Sequence, residues 1–247
     1  MQKNSKLGLL GKNISYSLSP KIYNYWFKEH NINATYNLID VETIDSNIFT
    51  EFKGFNITKP YKETILPLLR DVSLEVKFIK SVNLVIDSIG FNTDYLGLLD
   101  SYKYYNINFS KKNVLILGAG GAARALIYSL ANFDCNIFIY NRTPEKSYKV
   151  IEDFKDLKIQ EYKENMEFDI IFNATTLNFL EILSQVKFKN NREIIYYDLN
   201  YYHNKLEDFK CIDGLYMLLF QAKYNFEKFF GITPQVNQQL IDYIKTK

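Results

Sequence analysis

The stretch Gly118-Ala119-Gly120-Gly121-Ala122-Ala123 constrains the fold more than any other part of the chain. It lies between a short apolar run, residues 113–117 (Asn-Val-Leu-Ile-Leu), and a pattern with helical spacing that begins near Gly121. G-x-G-x-x-A at a strand-to-helix junction is the spacing of a dinucleotide-binding turn. Small residues are needed there because the turn is tight, a pyrophosphate must touch backbone, and the helix packs close to the strand. The helix start then offers free N–H groups and the positive end of its dipole to the phosphate. Further apolar runs follow at residues 135–140, 169–172 and 193–198, separated by helical stretches such as 144–154. Buried strands alternating with helices predict an α/β fold with a parallel sheet covered on both faces.

The second strand of this unit ends in Asn141-Arg142-Thr143, with Lys146 one turn further on. A turn that binds NAD usually has an Asp or Glu at this distance to hold the ribose 2′-hydroxyl. Here no carboxylate occupies the place. Arg142 and Lys146 can bind a 2′-phosphate and Thr143 can donate to it. A solvated charge at a helix start is the plainer alternative, but a cation is unfavourable beside the positive end of a helix dipole. NADP is therefore expected in preference to NAD.

The first hundred residues repeat the strand–helix alternation less clearly. Candidate strands are residues 7–10, 35–39, 55–58 and 82–86, and Ser19-Pro20 opens a helix with Ser19 as N-cap and Pro20 at the first helical position. Pro60 starts another helix, and residues 100–111 are read as a helix carrying the chain onward. The tail from Leu215 is helical, with no strand pattern, so it must pack on something already built. The expected organisation is two α/β lobes, residues 1–100 plus 215–247 and residues 101–214, the second a Rossmann-like lobe for the cofactor.

Composition removes several classes. With 30 basic and 28 acidic residues the net charge is +2, which gives no electrostatic case for nucleic acid or an anionic membrane. Twenty Tyr and 19 Phe supply ample core and argue against disorder. Cys135 and Cys211 show no metal spacing and cannot build a disulfide scaffold. His30 and His203 are the only histidines, so no metal site is expected. The amino terminus lacks a secretory apolar core and no apolar run is long enough to span a bilayer, so a cytoplasmic protein is expected. Arginine is rare, at positions 70, 124, 142 and 192 only.

Three polar clusters stand in the first half. In Ser15-Tyr16-Ser17-Leu18-Ser19-Pro20, capping accounts for Ser19 but leaves Ser17 unexplained. In Asn56-Ile57-Thr58-Lys59-Pro60-Tyr61-Lys62, Thr58 and Lys62 are four apart across a strand end and a helix start; a surface lysine on a Lys-rich chain reads the same way. Asn92-Thr93-Asp94 reads as a turn with a capping Asp, or, with Asn83, as amide, hydroxyl and carboxylate groups for a polyol.

Together these elements resemble the shikimate dehydrogenases, the NADP-dependent reductases of 3-dehydroshikimate. S-x-S-P is Ser17-Leu18-Ser19-Pro20, N-x-T-x-P-x-K runs from Asn56 to Lys62, V-N is Val82-Asn83, and N-T-D is Asn92-Thr93-Asp94. The glycine turn, Asn141-Arg142-Thr143 and Asn173-Ala174-Thr175-Thr176 follow in order. Asp198-Leu199-Asn200-Tyr201 resembles D-x-x-Y, and residues 213–222 resemble D-G-x-x-M-L-x-x-Q-A. Tyr16 stands where the family often has His, and Leu177-Asn178-Phe179 where it has a Gly-Met loop. The resemblance implies reversible hydride transfer between NADPH and a ring ketone on the route to chorismate and the aromatic amino acids. With no usable histidine, Lys62 supplies the proton and Asp94 orients it and touches substrate hydroxyls. Ser17 and Ser19 would bind the substrate carboxylate, Thr58, Asn83 and Gln221 the ring hydroxyls, and Tyr201 would close over the ring. Gly118, Ala119, Gly120, Gly121 and Ala122, with Asn141, Arg142, Thr143 and Lys146, would hold NADP, and Leu199 and Gly214 would line its nicotinamide side. A small-molecule substrate and a monomer or homodimer are implied. A quinate or dual quinate/shikimate dehydrogenase is the alternative enzyme, and a ligand sensor on the same scaffold the non-enzymatic one.

Overall fold

The structure is a computed structural model that describes residues 5–189, 193–201 and 209–246; Arg192 and His203 lie outside the described residues. The fold is α/β, and the chain divides into two compact units, Met1–Gly97 with Leu219–Lys247, and Leu98–Leu218.

The first unit runs β1 (Ser5–Gly11), α1 (Ser19–Glu29), β2 (Ala34–Asp40), α2 (Ile48–Glu51), β3 (Gly54–Ile57), α3 (Tyr61–Thr64), β4 (Asp71–Val72), α4 (Leu74–Ile79), β5 (Leu84–Ile86) and β6 (Ile89–Phe91). Its strands lie in the order β2-β1-β3-β5-β6-β4. β1 is parallel to β2 and β3, whereas β5 is antiparallel to both β3 and β6. The sequence pattern marks a single strand at 82–86, and the structure forms a hairpin of β5 and β6 there. It turns on Asp87 and Ser88, both with left-handed φ, 49° and 61°, the geometry whose twist suits a two-residue hairpin. Asp-Ser carries little of the Asn-Gly signal by which such turns are read.

Helix α1 buries Ile22, Tyr23, Trp26 and Phe27, a stripe at three- and four-residue spacing. Phe226 packs against Tyr23, Trp26 and Phe27, so the strandless tail completes this core. The cap of α1 corrects the sequence reading. Leu18, not Ser19, is the N-cap residue, and no side chain caps the helix there. Ser17 instead accepts from the Ser19 backbone N–H at 3.2 Å, which draws Ser19 into the first turn.

The chain leaves the first unit along α5 (Asp94–Tyr104). This helix starts six residues earlier than expected, because Asn92 Oδ1 accepts from the Asp94 N–H at 3.0 Å and begins it there. It ends at Asn106, whose left-handed φ of 52° lets Ile107 N–H reach back to Tyr102 O at 2.9 Å.

The second unit contains β7 (Lys112–Leu117), α6 (Gly121–Leu130), β8 (Cys135–Tyr140), α7 (Pro144–Asp153), β9 (Ile159–Glu161), β10 (Met166–Glu167), β11 (Ile170–Asn173), α8 (Phe179–Leu183), β12 (Phe188–Lys189), β13 (Ile194–Asp198) and β14 (Phe209–Ile212). Among the described residues its main sheet is wholly parallel, in the order β14-β13-β11-β7-β8-β9. From β7 the chain first builds toward β9, then returns and builds toward β14. The switch point, where parallel α/β sheets open a crevice, therefore lies between the carboxyl ends of β7 and β11. The chain returns to the first unit along α9 (Leu215–Phe230), and α10 (Gln238–Lys245) follows.

Candidate active site

In the first unit, β3 and the turn after it place Lys62. Thr58 N–H donates to Leu10 O at 2.9 Å and Tyr61 N–H to Thr58 O at 3.0 Å, and Lys62 O accepts from Val82 N–H at 2.7 Å. Asp94 is placed by its own turn: Asn92 Nδ2 donates to Ser81 O at 2.9 Å, and Thr93 N–H donates to Asn83 Oδ1 at 2.8 Å. The two side chains meet. Lys62 Nζ lies 2.5 Å from Asp94 Oδ2, and Asn83 Nδ2 donates to the other carboxylate oxygen at 2.8 Å. The Asp94 side chain is 4% exposed and that of Lys62 18%, so the carboxylate is shut in while the ammonium keeps an open side. A charge-assisted pair of this kind holds a proton donor in one place.

Gln221, on α9, joins the same cluster through Oε1, which accepts from Asn83 Nδ2 at 3.2 Å. The serine pair is also assembled: Ser17 Oγ donates to Ser19 Oγ at 3.2 Å. Their loop is pinned by Asp40, which accepts from Asn13 N–H at 2.8 Å and Ile14 N–H at 3.0 Å.

Several members of this network were not read from the sequence. Asn56 Oδ1 accepts from Tyr23 at 2.9 Å and Tyr36 at 2.7 Å, and Asn56 Nδ2 donates to Asn83 O at 3.2 Å. The two phenol rings stack at 4.0 Å. Burial holds both phenols well above their usual range, opposed by hydrogen bonds with Asn56 and Asn225 at Tyr23 and with Ser19 at Tyr36. Asn225 accepts from Thr93 Oγ1 at 2.6 Å and donates to Gln221 at 2.9 Å. Its one signal in the sequence is its place one helical turn beyond Gln221.

In the second unit, β7 ends at Gly118, whose φ of +111° suits glycine alone. A Cβ there would stand 3.1 Å from Ala174 O and from Thr175 Cγ2, so a side chain would fill the switch-point crevice. Gly120, the N-cap of α6, is exposed, and no side chain caps the helix. Arg142, Thr143 and Lys146 stand at the surface at the end of β8 and the start of α7. Asn141 Nδ2 donates to Thr143 O at 2.9 Å, while the Thr143 side chain leaves α7 uncapped. These features fit a dinucleotide bearing a 2′-phosphate. The crevice is open, the helix start is unclaimed, and two cations and a hydroxyl are exposed where the adenosine ribose of such a ligand ends.

The far side of this crevice is held by a buried carboxylate. Asp198 accepts from Asn173 Nδ2 at 3.2 Å and from Asn200 N–H at 2.9 Å, and Thr175 N–H donates to Asn173 Oδ1 at 3.0 Å. Gly214 lies so close to Leu199 that a Cβ would come within 2.2 Å of Leu199 O. Tyr201 is half-buried at the end of the described stretch 193–201. Among the described residues no group of three or more His, Cys, Asp or Glu side chains is arranged for a metal ion, and no helix is long and apolar enough to cross a membrane.

Comparison with known proteins places this geometry. Residues 9–85 match the shikimate dehydrogenase substrate binding domain and residues 102–199 match shikimate / quinate 5-dehydrogenase. The shikimate dehydrogenase (NADP(+)) of Clostridium botulinum (strain Loch Maree / Type A3) is 37% identical over 239 residues, covering 87% of this chain and 92% of that protein. The chain belongs to the shikimate dehydrogenase family. Among solved members of that family, the enzyme from Aquifex aeolicus superposes with a TM-score of 0.86 at 27% identity, covering 100% of this chain and 99% of that one. The Thermus thermophilus shikimate 5-dehydrogenase, solved in complex with NADP(H) and shikimate, gives 0.82 at 26% identity and 98% coverage of both. The first match takes in Ser17, Ser19, Thr58, Lys62 and Asn83. The second takes in the glycine turn, Arg142 and Leu199. Asp94, Tyr201, Gly214 and Gln221 fall outside both.

Proposed function

We propose that this protein is an NADP-dependent shikimate dehydrogenase, interconverting 3-dehydroshikimate and shikimate. The observation that carries the reading is the Lys62–Asp94 pair, with its buried carboxylate and half-open ammonium 2.5 Å apart, in a chain of this family. In the reductive direction the bound cofactor supplies a hydride to the ring carbonyl carbon. The carbonyl oxygen then carries negative charge and takes a proton from Lys62 Nζ; in the oxidative direction Lys62 takes the proton back. Asp94 holds Nζ in place and accepts from a substrate hydroxyl. Ser17 and Ser19 anchor the substrate carboxylate, while Thr58, Asn83 and Gln221 hold the remaining hydroxyls and Tyr201 covers the ring.

The first unit, in this reading, is the substrate-binding domain and the second the NADP-binding domain. Gly118, Ala119, Gly120, Gly121 and Ala122 and the start of α6 take the pyrophosphate. Asn141, Arg142, Thr143 and Lys146 take the 2′-phosphate, and Leu199 and Gly214 face the nicotinamide. The protein works in the cytoplasm as a monomer or homodimer on a small molecule, without nucleic acid.

The test is to mix the purified protein with NADP+ and shikimate and follow the absorbance of reduced nicotinamide. Parallel arms replace shikimate with quinate and NADP+ with NAD+. Reduction only with NADP+ and shikimate is the expected result. Equal rates with quinate would make the enzyme dual, and no reduction in any arm would leave a ligand-binding protein on an enzyme scaffold.

A further inference from the structure

Asn225 is wholly buried, carries no charge, and lies outside both family matches. Its bonds form one end of a polarity chain whose other end is fixed by the backbone. Thr93 N–H is a donor that cannot be reversed, and it bonds Asn83 Oδ1 at 2.8 Å. Asn83 must therefore present its two Nδ2 hydrogens to the rest of the cluster, one to Asp94 Oδ1 at 2.8 Å and the other shared between Thr93 Oγ1 at 3.0 Å and Gln221 Oε1 at 3.2 Å. Thr93 Oγ1 directs its single hydrogen to Asn225 Oδ1 at 2.6 Å, much nearer than Gln221 O at 3.3 Å or Asn83 Oδ1 at 3.4 Å. That turns Asn225 Nδ2 toward Gln221 Oε1 at 2.9 Å. Gln221 thus receives two donors on its oxygen. An amide has its acceptor on one side and its donors on the other, so this arrangement sets which of the two faces the ligand.

We propose that Asn225 is a positioning residue for Gln221: with Thr93 and Asn83 it locks the Gln221 amide so that its N–H side faces the substrate hydroxyls. This rests on the reading of Gln221 as a substrate contact. The inverted amide would offer an acceptor in place of a donor to the substrate hydroxyls. The lock thereby favours one pattern of hydroxyls on the ring.

The test is a double-mutant cycle on the full-length protein, with KM for shikimate, KM for NADP+ and kcat measured separately. Asn225→Asp keeps the shape but replaces the donor to Gln221 with an acceptor. It should raise KM for shikimate by about tenfold, the scale of one hydrogen bond. kcat should change less than about threefold and KM for NADP+ should not move, since no uniform loss of structure is involved. In the Gln221→Ala background, Asn225→Asp should raise KM by less than about twofold, because the group it orients is gone. Asn225→Ala, which buries no charge, repeats the cycle should the aspartate variant melt early. An undiminished effect of both Asn225 substitutions without Gln221 would overturn the proposal, as would no effect of either with Gln221 present. If Gln221→Ala alone leaves KM unchanged, Gln221 is not a substrate contact and the proposal falls with it, while the dehydrogenase reading stands. Failure of the unmodified protein to oxidise shikimate would remove that reading instead.

Discussion

The candidate polar-ligand sites of the two units are built from opposite materials. In the first, the candidate groups are buried or half-buried and bonded to one another: Lys62 to Asp94, Asp94 to Asn83, Asn83 to Gln221, and Ser17 to Ser19. In the second, the glycine turn offers backbone and shape, and the charges proposed to meet a phosphate, Arg142 and Lys146, are exposed. A buried network fixes geometry, because each member has lost its alternatives to its neighbours, and loss of one partner strands another. An exposed cation is adjustable and cheap to remove, since water takes its place. Breaking the buried Lys62–Asp94 pair in the first unit should therefore cost stability and turnover together. Substitutions at the phosphate end of the second should change cofactor choice alone.

The largest effect should come from Lys62. Lys62→Ala should lower kcat by roughly 10²–10⁴-fold, the range for loss of a general acid–base. Lys62→Arg should not rescue it, because guanidinium does not release its proton near neutral pH. Since Asp94 is left buried without its cation, denaturant unfolding should also show a loss of about 3 kcal/mol. Normal stability in Lys62→Ala would break the contrast between the units. Taken without its motif, this position reads equally as a surface lysine; the 18% exposure of its side chain and its buried partner are what link turnover to stability here.

Alkaline pH should erase the contrast. Tyr23 and Tyr36 in the first unit and Tyr102 in the second are held above their usual range chiefly by burial. A phenol is neutral when protonated, and its folded pKa here exceeds the unfolded value near 10. The stabilisation is therefore complete below about pH 10 and is lost as pH rises above it, by about 1.4 kcal/mol per unit for each such phenol. Unfolding followed at pH 8 and pH 11 should show the fall in both units. Stability that is level across that range would refute it.

Arg142→Ala should reduce the preference for NADPH over NADH about tenfold, the worth of one charge-assisted hydrogen bond. It should leave the melting curve in place, and a marked drop in melting temperature would show that Arg142 is structural. The smallest effect separates two readings of Ser19. A helix cap would cost about 1 kcal/mol on removal. The structure gives the cap position to Leu18, so Ser19→Ala should raise KM for shikimate with a stability change below about 0.5 kcal/mol.

What the sequence made legible follows the same division. The parallel sheet of the second unit was readable because its strands are continuous apolar runs and its turn needs glycine. In the first unit, Lys62 and Asp94 were readable as candidates through their motifs. The hairpin at Asp87-Ser88 was not, because both residues accept a left-handed φ only under pressure from the strands they join. Ser19 was misread because Ser-Pro before a helical pattern looks like a cap, and only the structure reveals that Ser17 holds the Ser19 N–H. Asn225 was hidden by an abundance of Asn and by its position inside a helix, where an amide has meaning only through the groups it meets. Short strands such as Ile159–Glu161 and Phe209–Ile212 form by sheet addition rather than by any local pattern.

Gln221 and Asn225 reach Asn83 and Thr93 across more than a hundred residues of chain. A ribosome delivers the serines, Lys62 and Asp94 early, then makes all of Leu98–Leu218 before α9 emerges. Throughout that interval Tyr23, Trp26 and Phe27 lack Phe226, the ring that covers them. The nascent first unit is thus an apolar surface awaiting its last helix, and a chain released before α9 would present that surface to chaperones and proteases. Synthesis order alone puts the closing of this polar cluster late in the folding of the chain.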